Sequence, residues 1–190
     1  MCGIIGAYCA NPGVCATILF AGLKYMQNRG YDSAGVFTIA DKGGTYAPLL
    51  HKYASTPTST ALERLGERMS AHDTARVGFG HTRWATHGAK TDANSHPHRC
   101  ANGLFTLVHN GILENYKPLK KMLTDDGCVF RSETDTEVIC NLISHFYLQI
   151  TTKEERTITD VRAAINAAQE AMTGSWGLVI HCMDFPDALF

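Results

Sequence analysis

Ala34-Gly-Val-Phe-Thr-Ile-Ala40, the turn Asp41-Lys-Gly-Gly44 and residues 45–53 form the stretch on which the fold class turns. Two apolar runs of strand-forming residues flank a short turn of Asp and Gly, the pattern of a β-hairpin. A hairpin joins antiparallel neighbours, whereas parallel strands need a long crossover between them. On its N-terminal side, Cys2-Gly-Ile-Ile-Gly-Ala-Tyr8 is short, apolar and punctuated by glycine, so it reads as a buried strand. Asn11 as cap and Pro12 at the first helical position then open a helix, with Cys15, Leu19, Leu23 and Met26 on its apolar stripe and Gly30 as its stop.

On the C-terminal side, residues 60–71 carry Leu62, Leu65 and Met69 at helical spacing. Residues 77–84 and 104–109 read as strands, and the long His-rich connection between them reads as a functional loop. A short helix is expected over 115–123. Thr134-Asp-Thr-Glu137 has the spacing of a capping box ahead of Val138, Ile139, Leu142, Ile143 and Phe146, which predicts a helix starting near Thr134. Residues 159–172 predict a further helix closed by Gly174, and 177–182 a last strand. Strands recur in hairpin-like pairs and helices cluster elsewhere, without the strict alternation of a doubly wound sheet, so the class is α+β.

With 190 residues, of which 45% are hydrophobic and 18% charged, the chain is large enough for one core and too short for two large domains. No repeat, linker or low-complexity tract divides it. A formal net charge of -1 provides no broad positive field for phosphates or anionic lipid, which argues against nucleic acid and membrane partners and favours a small zwitterionic ligand. Seven cysteines, an odd number with no evident pairing, point to a reducing compartment, hence the cytoplasm, and the lack of a Cys-x-x-Cys pair argues against a zinc ribbon or thioredoxin-type motif. The uncharged stretch before Lys24 lacks the basic segment of a secretion signal, and its apolar run over 14–23 is about half of the roughly 20 residues of a membrane span.

Cys2 is the sharpest chemical feature. Removal of Met1 places a thiol and a free α-amine on one residue, and an amine of pKa about 7.7 to 8.0 can take a proton from a thiol of pKa about 8.5. Read alone, Cys2 is equally a small buried residue at the start of a strand. Asn110-Gly111 alone reads as a hairpin turn. Arg83 and Asp135 alone read as surface ion-pair members or, for Asp135, as an acid favoured by a helix N-terminus, and Arg29 as a cation at a helix C-terminus. The histidines at 81, 87, 96, 98 and 109 do not reproduce a zinc signature, and Gly78-Phe-Gly80 fails as a dinucleotide motif because Arg83 stands at the third glycine's place. No metal and no cofactor is expected.

Six blocks together carry more. Met1-Cys-Gly-Ile-Ile-Gly6, Arg29-Gly-Tyr-Asp-Ser-Ala-Gly35, His81-Thr-Arg-Trp-Ala-Thr-His-Gly88, Asn94-Ser-His-Pro-His98, Val108-His-Asn-Gly-Ile-Leu-Glu-Asn-Tyr116 and Ser132-Glu-Thr-Asp-Thr-Glu137 resemble, in order and spacing, the glutaminase domain of class II glutamine amidotransferases. These are N-terminal-nucleophile hydrolases, and the wording of the second and third blocks is most similar to the glutamine:fructose-6-phosphate aminotransferase branch. The resemblance covers nearly the whole chain. It implies a four-layer αββα sandwich of two mainly antiparallel sheets, and a domain that continues past Phe190 into a sugar-phosphate isomerase half.

The resemblance also implies a role for each block. Cys2 attacks the side-chain amide of L-glutamine to give a γ-glutamyl thioester and ammonia, and water then releases glutamate. Asn110 and the Gly111 N–H donate to the oxyanion. Arg83 takes the substrate carboxylate and Asp135 its ammonium. Trp84, Thr86 and His87 belong to the loop that closes over glutamine, and Arg29 with Gly30 sits beside the nucleophile. In a longer parent, dimeric through its other half, the ammonia makes glucosamine 6-phosphate from fructose 6-phosphate. Two alternatives stay open: a catalytically silent glutamine-binding or assembly domain, and the glutaminase domain of another class II amidotransferase.

Overall fold

The structure, a computed structural model, describes residues 2–43, 45–84, 89–152 and 155–190, without the side chains of Asp41 and Lys42. Among these residues the strands form two antiparallel sheets. The first has the order β1-β4-β2-β3, from β1 (Gly3–Tyr8), β2 (Ser33–Lys42), β3 (Thr45–Ala54) and β4 (Ala75–Arg83). The second has the order β5-β6-β7, from β5 (His98–Arg99), β6 (Phe105–Leu113) and β7 (Gly174–Cys182). The hairpin read from the sequence is β2 and β3, paired from Ser33 with Ala54 to Lys42 with Thr45.

Helices α1 (Val14–Tyr25) and α2 (Ala61–Gly66) cover the outer face of the first sheet. Their buried Cys15, Leu19, Leu23 and Leu65 pack with Ala34 and Val36 of β2. Helices α3 (Tyr116–Asp125), α4 (Asp135–Ile150) and α5 (Ile158–Ala171) cover the second sheet, with Val138, Ile139, Leu142 and Tyr147 packed against Phe105, Leu107 and Ile180. Between the sheets lie Phe37, Ile39, Phe79 and Val108, with the Phe37 and Phe79 rings 5.1 Å apart. Three apolar layers thus separate four layers of secondary structure, the αββα sandwich. Each fully buried phenylalanine contributes roughly 1.5–3 kcal/mol of transfer free energy, so the interlayer core locks the sheets face to face.

The α+β class holds, and several boundaries shift. Helix α1 begins at Val14, after Gly13, and no side chain caps it; Asn11 and Pro12 lie in the preceding turn. The helix also ends before Gly30, at Tyr25, and a 3-10 turn over Gln27–Arg29 fills the gap. The helix expected over 60–71 splits into α2 and a 3-10 turn at Met69–His72; Thr60 and Glu63 form a reciprocal capping box at its start. Thr134 caps α4 as expected by accepting from the Glu137 N–H, but the box is not reciprocal. The buried Glu137 carboxylate instead accepts from the Arg131 and Ser132 N–H groups, at 2.9 and 2.7 Å, and from Ser132 Oγ at 2.6 Å. A desolvated carboxylate needs several donors, and the loop before the helix supplies them. Helix α5 starts at Ile158 under a reciprocal box of Thr157 and Asp160, and Gly174 opens β7 rather than closing the helix. The seven cysteines are free thiols. Among the described residues, no helix is long and apolar enough to cross a membrane.

Candidate active site

Antiparallel pairing of β1 with β4 assembles one wall of the site. Gly3 pairs with Thr82, so Cys2, one residue earlier, comes alongside Arg83 and Trp84 at the end of β4. The Trp84 N–H donates to Cys2 Sγ at 3.2 Å, and the thiol faces the Trp84 carbonyl at 3.6 Å. Gly30 permits this approach from behind: a Cβ there would meet the Arg83 carbonyl carbon at 2.6 Å and its oxygen at 2.9 Å. The same backbone is held by Asp32, whose N–H donates to the Arg83 carbonyl at 3.1 Å.

The second sheet supplies the opposite wall. Asn110 and Gly111 lie within β6, paired with Gly177 and Trp176, which removes the turn reading of Asn-Gly. Asn110 Nδ2 donates to the Cys2 carbonyl oxygen at 3.1 Å and so bridges the sheets. Gly111 adopts φ 141, and a Cβ would lie 2.0 Å from the Ser175 carbonyl oxygen, so the strand requires glycine at this position.

Helix α4 delivers Asp135 as its first residue. The Asp135 carboxylate accepts from the Leu113 N–H at 2.9 Å, which ties the helix N-terminus to the end of β6. One cavity is bordered by Cys2, Arg83, Trp84, Gly111 and Asp135, together with His96, His109, Thr134 and Thr136. Arg83 is 5% exposed. Burial pulls its guanidinium down from the usual arginine range, against the opposing pull of Cys2, Asp32 and Asp135. An arginine stays cationic under such a shift. The cavity therefore presents a cation, a carboxylate and a thiol together, the bipolar arrangement a free amino acid requires.

The positions expected from the sequence do not all meet here. Cys2, Arg83, Trp84, Gly111 and Asp135 border the cavity, and Asn110 touches the Cys2 backbone. Gly30 acts one layer back, against the Arg83 and Trp84 backbone. Arg29 is exposed in the 3-10 turn and is not among the cavity's lining residues. Thr86 and His87 lie outside the described residues.

Four histidines from the His-rich blocks were legible only as candidate metal ligands, yet they form a hydrogen-bonded group. His96 Nε2 and His109 Nδ1 both contact Thr136 Oγ1, at 3.2 and 3.1 Å, and His98 Nε2 contacts Thr134 Oγ1 at 3.1 Å. The His81 ring stacks on His96 at 4.2 Å and contacts Asn110 Oδ1 through Nε2 at 2.9 Å. Burial pushes His81 down to about 4 and His96 and His98 well below the usual histidine value, so these rings are neutral. Among the described residues, no group of three or more His, Cys, Asp or Glu is arranged to hold a metal ion. The threonines at 134 and 136, spaced on the first turn of α4, were the sequence signal for this role.

Asp135 yields a direct test. Asp135→Asn keeps an acceptor for the Leu113 N–H but removes the negative charge. The expected result is a rise of at least about tenfold in KM for glutamine with kcat changed much less, since a lost charge-assisted contact costs about 1.5–3 kcal/mol. An unchanged KM would remove Asp135 from substrate binding.

A sequence-family model described as a glutamine amidotransferase domain matches residues 50–155, more than half of the chain. The glutamine--fructose-6-phosphate aminotransferase [isomerizing] of Caldanaerobacter subterraneus subsp. tengcongensis is 40% identical over 189 residues, covering 100% of this chain and 28% of that protein. The enzyme of the same name from Symbiobacterium thermophilum is also 40% identical, with the same coverage. This chain thus spans about 28% of the length of these curated relatives. Among solved structures, the glutamine phosphoribosylpyrophosphate amidotransferase from B. subtilis superimposes with a TM-score of 0.69 at 23% identity, covering 94% of this chain and 35% of that one. That likeness shows the fold alone, the same sandwich of two sheets. The chain belongs to the glutamine amidotransferase domain family.

Proposed function

We propose that the chain hydrolyses the side-chain amide of L-glutamine, with Cys2 as an N-terminal nucleophile once Met1 is removed. The observation that carries this reading is the meeting of the Cys2 thiol with Arg83, Asp135 and Gly111 around one cavity. The α-amine takes the thiol proton, and sulfur adds to the amide carbon. Collapse of the tetrahedral intermediate expels ammonia, with the proton returned by the amine, and leaves a γ-glutamyl thioester. Water, activated by the same amine, then releases glutamate. Asn110 Nδ2, 3.1 Å from the Cys2 carbonyl oxygen, and the Gly111 N–H donate to the oxyanion, and each such donor is worth about 2.7–4 kcal/mol. Arg83 holds the substrate carboxylate and Asp135 its ammonium, with Trp84 beside the ligand.

In a longer polypeptide the ammonia passes to a sugar-phosphate isomerase domain that converts fructose 6-phosphate to glucosamine 6-phosphate, and dimerisation runs through that half. The 40% identity to the two isomerising aminotransferases supports this. The seven free thiols suit a cytoplasmic setting. Intact-mass and N-terminal analysis, paired with an assay of ammonia release from glutamine, tests the central claim. An active chain lacks Met1; activity in a chain that retains it would exclude the α-amine as the base.

A further inference from the structure

Among the buried groups that the hydrolysis above leaves without a part, His81 is placed to control one of the reaction's donors. It lies on β4, paired on one side with Ile4 of β1 and on the other with Gly35 of β2. Its ring, 1% exposed, reaches across to the second sheet, where Nε2 contacts Asn110 Oδ1 at 2.9 Å. The other end of the same amide contacts the carbonyl oxygen of Cys2 at 3.1 Å.

A backbone carbonyl only accepts. The amide group facing it must therefore be the NH2, which turns Oδ1 toward His81. An amide oxygen also only accepts, so His81 Nε2 must carry the proton. In the opposite orientation Asn110 would set its oxygen against the Cys2 carbonyl oxygen, and no side-chain donor would face the nucleophile. The ring is free to take this tautomer because it is buried and neutral, and stacking on His96 at 4.2 Å holds its plane.

We propose that His81 is a positioning residue that, as the Nε2–H tautomer, fixes the Asn110 amide with its NH2 group toward Cys2 and the forming oxyanion. This rests on the oxyanion role given to Asn110. His81 does not touch the substrate; it acts through the amide.

The test is a set of variants assayed for ammonia release from glutamine. His81→Leu is expected to lower kcat by about 10²-fold, the scale of one lost oxyanion donor, with KM for glutamine within about threefold of the parent. His81→Gln, whose terminal NH2 can occupy the place of Nε2, is expected to recover most of the lost kcat, and the shorter His81→Asn is not. In an Asn110→Ala background His81→Leu is expected to cost nothing further, because the group it acts through is gone. Equal losses from His81→Leu with and without Asn110 would overturn the proposal, as would equal kcat for the Gln and Asn variants. Thermal unfolding verifies that each variant folds; if His81→Leu fails this, the Gln and Asn pair, and the cycle repeated with Asn, decide the matter. An Asn110→Ala chain with full turnover would instead overturn the oxyanion reading beneath it.

Discussion

Cys2→Ala is expected to abolish ammonia release from glutamine, a loss on the order of 10⁵-fold or more, while glutamine still binds. The size follows from the chemistry: removing a nucleophile removes the covalent route altogether and leaves only what binding and oxyanion donors do for attack by water. Retention of binding follows from the geometry. The groups proposed to take an amino acid's two charges, Arg83 and Asp135, belong to β4 and α4, and their placement does not depend on the thiol. The structural bond at this position, from Asn110 Nδ2, goes to the Cys2 backbone carbonyl, which alanine keeps. The thiol itself makes only weak sulfur contacts with the Trp84 backbone, at 3.2 and 3.6 Å. Its removal should therefore change stability by less than about 1 kcal/mol. Calorimetric titration with glutamine beside the ammonia assay checks both halves. Undiminished turnover would remove Cys2 as the nucleophile, whereas loss of binding would show that the thiol shapes the substrate pocket.

The ease with which parts of this site can be read from the sequence depends on how local their causes are. The hairpin of β2 and β3 was legible because period and turn chemistry lie within twenty neighbouring residues. The start of α1 was not, because Asn11 and Pro12 satisfy the rules for a helix start while the chain spends two more residues in the turn. Asn110-Gly111 shows the same conflict in sharper form. The strongest two-residue hairpin signal lies in mid-strand, since β7 pairs across it and needs glycine to clear Ser175. Cys2, Arg83, Asn110 and Asp135 could be gathered only by likeness to a family, because sheet register and the bond from the Leu113 N–H to Asp135 bring them together. The histidines were visible as a cluster in the sequence, but His98 and His96 find their hydroxyl partners at Thr134 and Thr136, 36 and 40 residues on.

Those four histidines, together with the buried His72 and His181, predict a loss of stability in mild acid. Burial pushes His72, His81 and His181 down to about 4, His96 and His98 well below the usual value, and His109 in the same direction. In the unfolded chain each ring returns to about 6.5, so between about pH 6.5 and 4 the unfolded state binds more protons than the folded one. Stability therefore rises with pH in this window: the contribution is complete above the unfolded value and is lost as pH falls through it. Each of the three rings held at about 4 costs about 1 kcal/mol between pH 7 and 5.5, and His96, His98 and His109 add in the same direction, a substantial part of the 5–15 kcal/mol that holds a typical domain folded. Glu63, Asp92 and Glu133, whose carboxyls are held below their usual values by hydrogen bonds, lose their contributions only at lower pH, so they do not mask the effect. Urea midpoints measured at pH 7.5, 6.5 and 5.5 should fall steadily, with the largest drop in the last interval, and unfolding at pH 5.5 should take up several protons. A midpoint that does not move across this range would mean that the buried rings are solvated or already charged in the folded chain. The neutral His81 tautomer that orients Asn110 would then lose its physical basis.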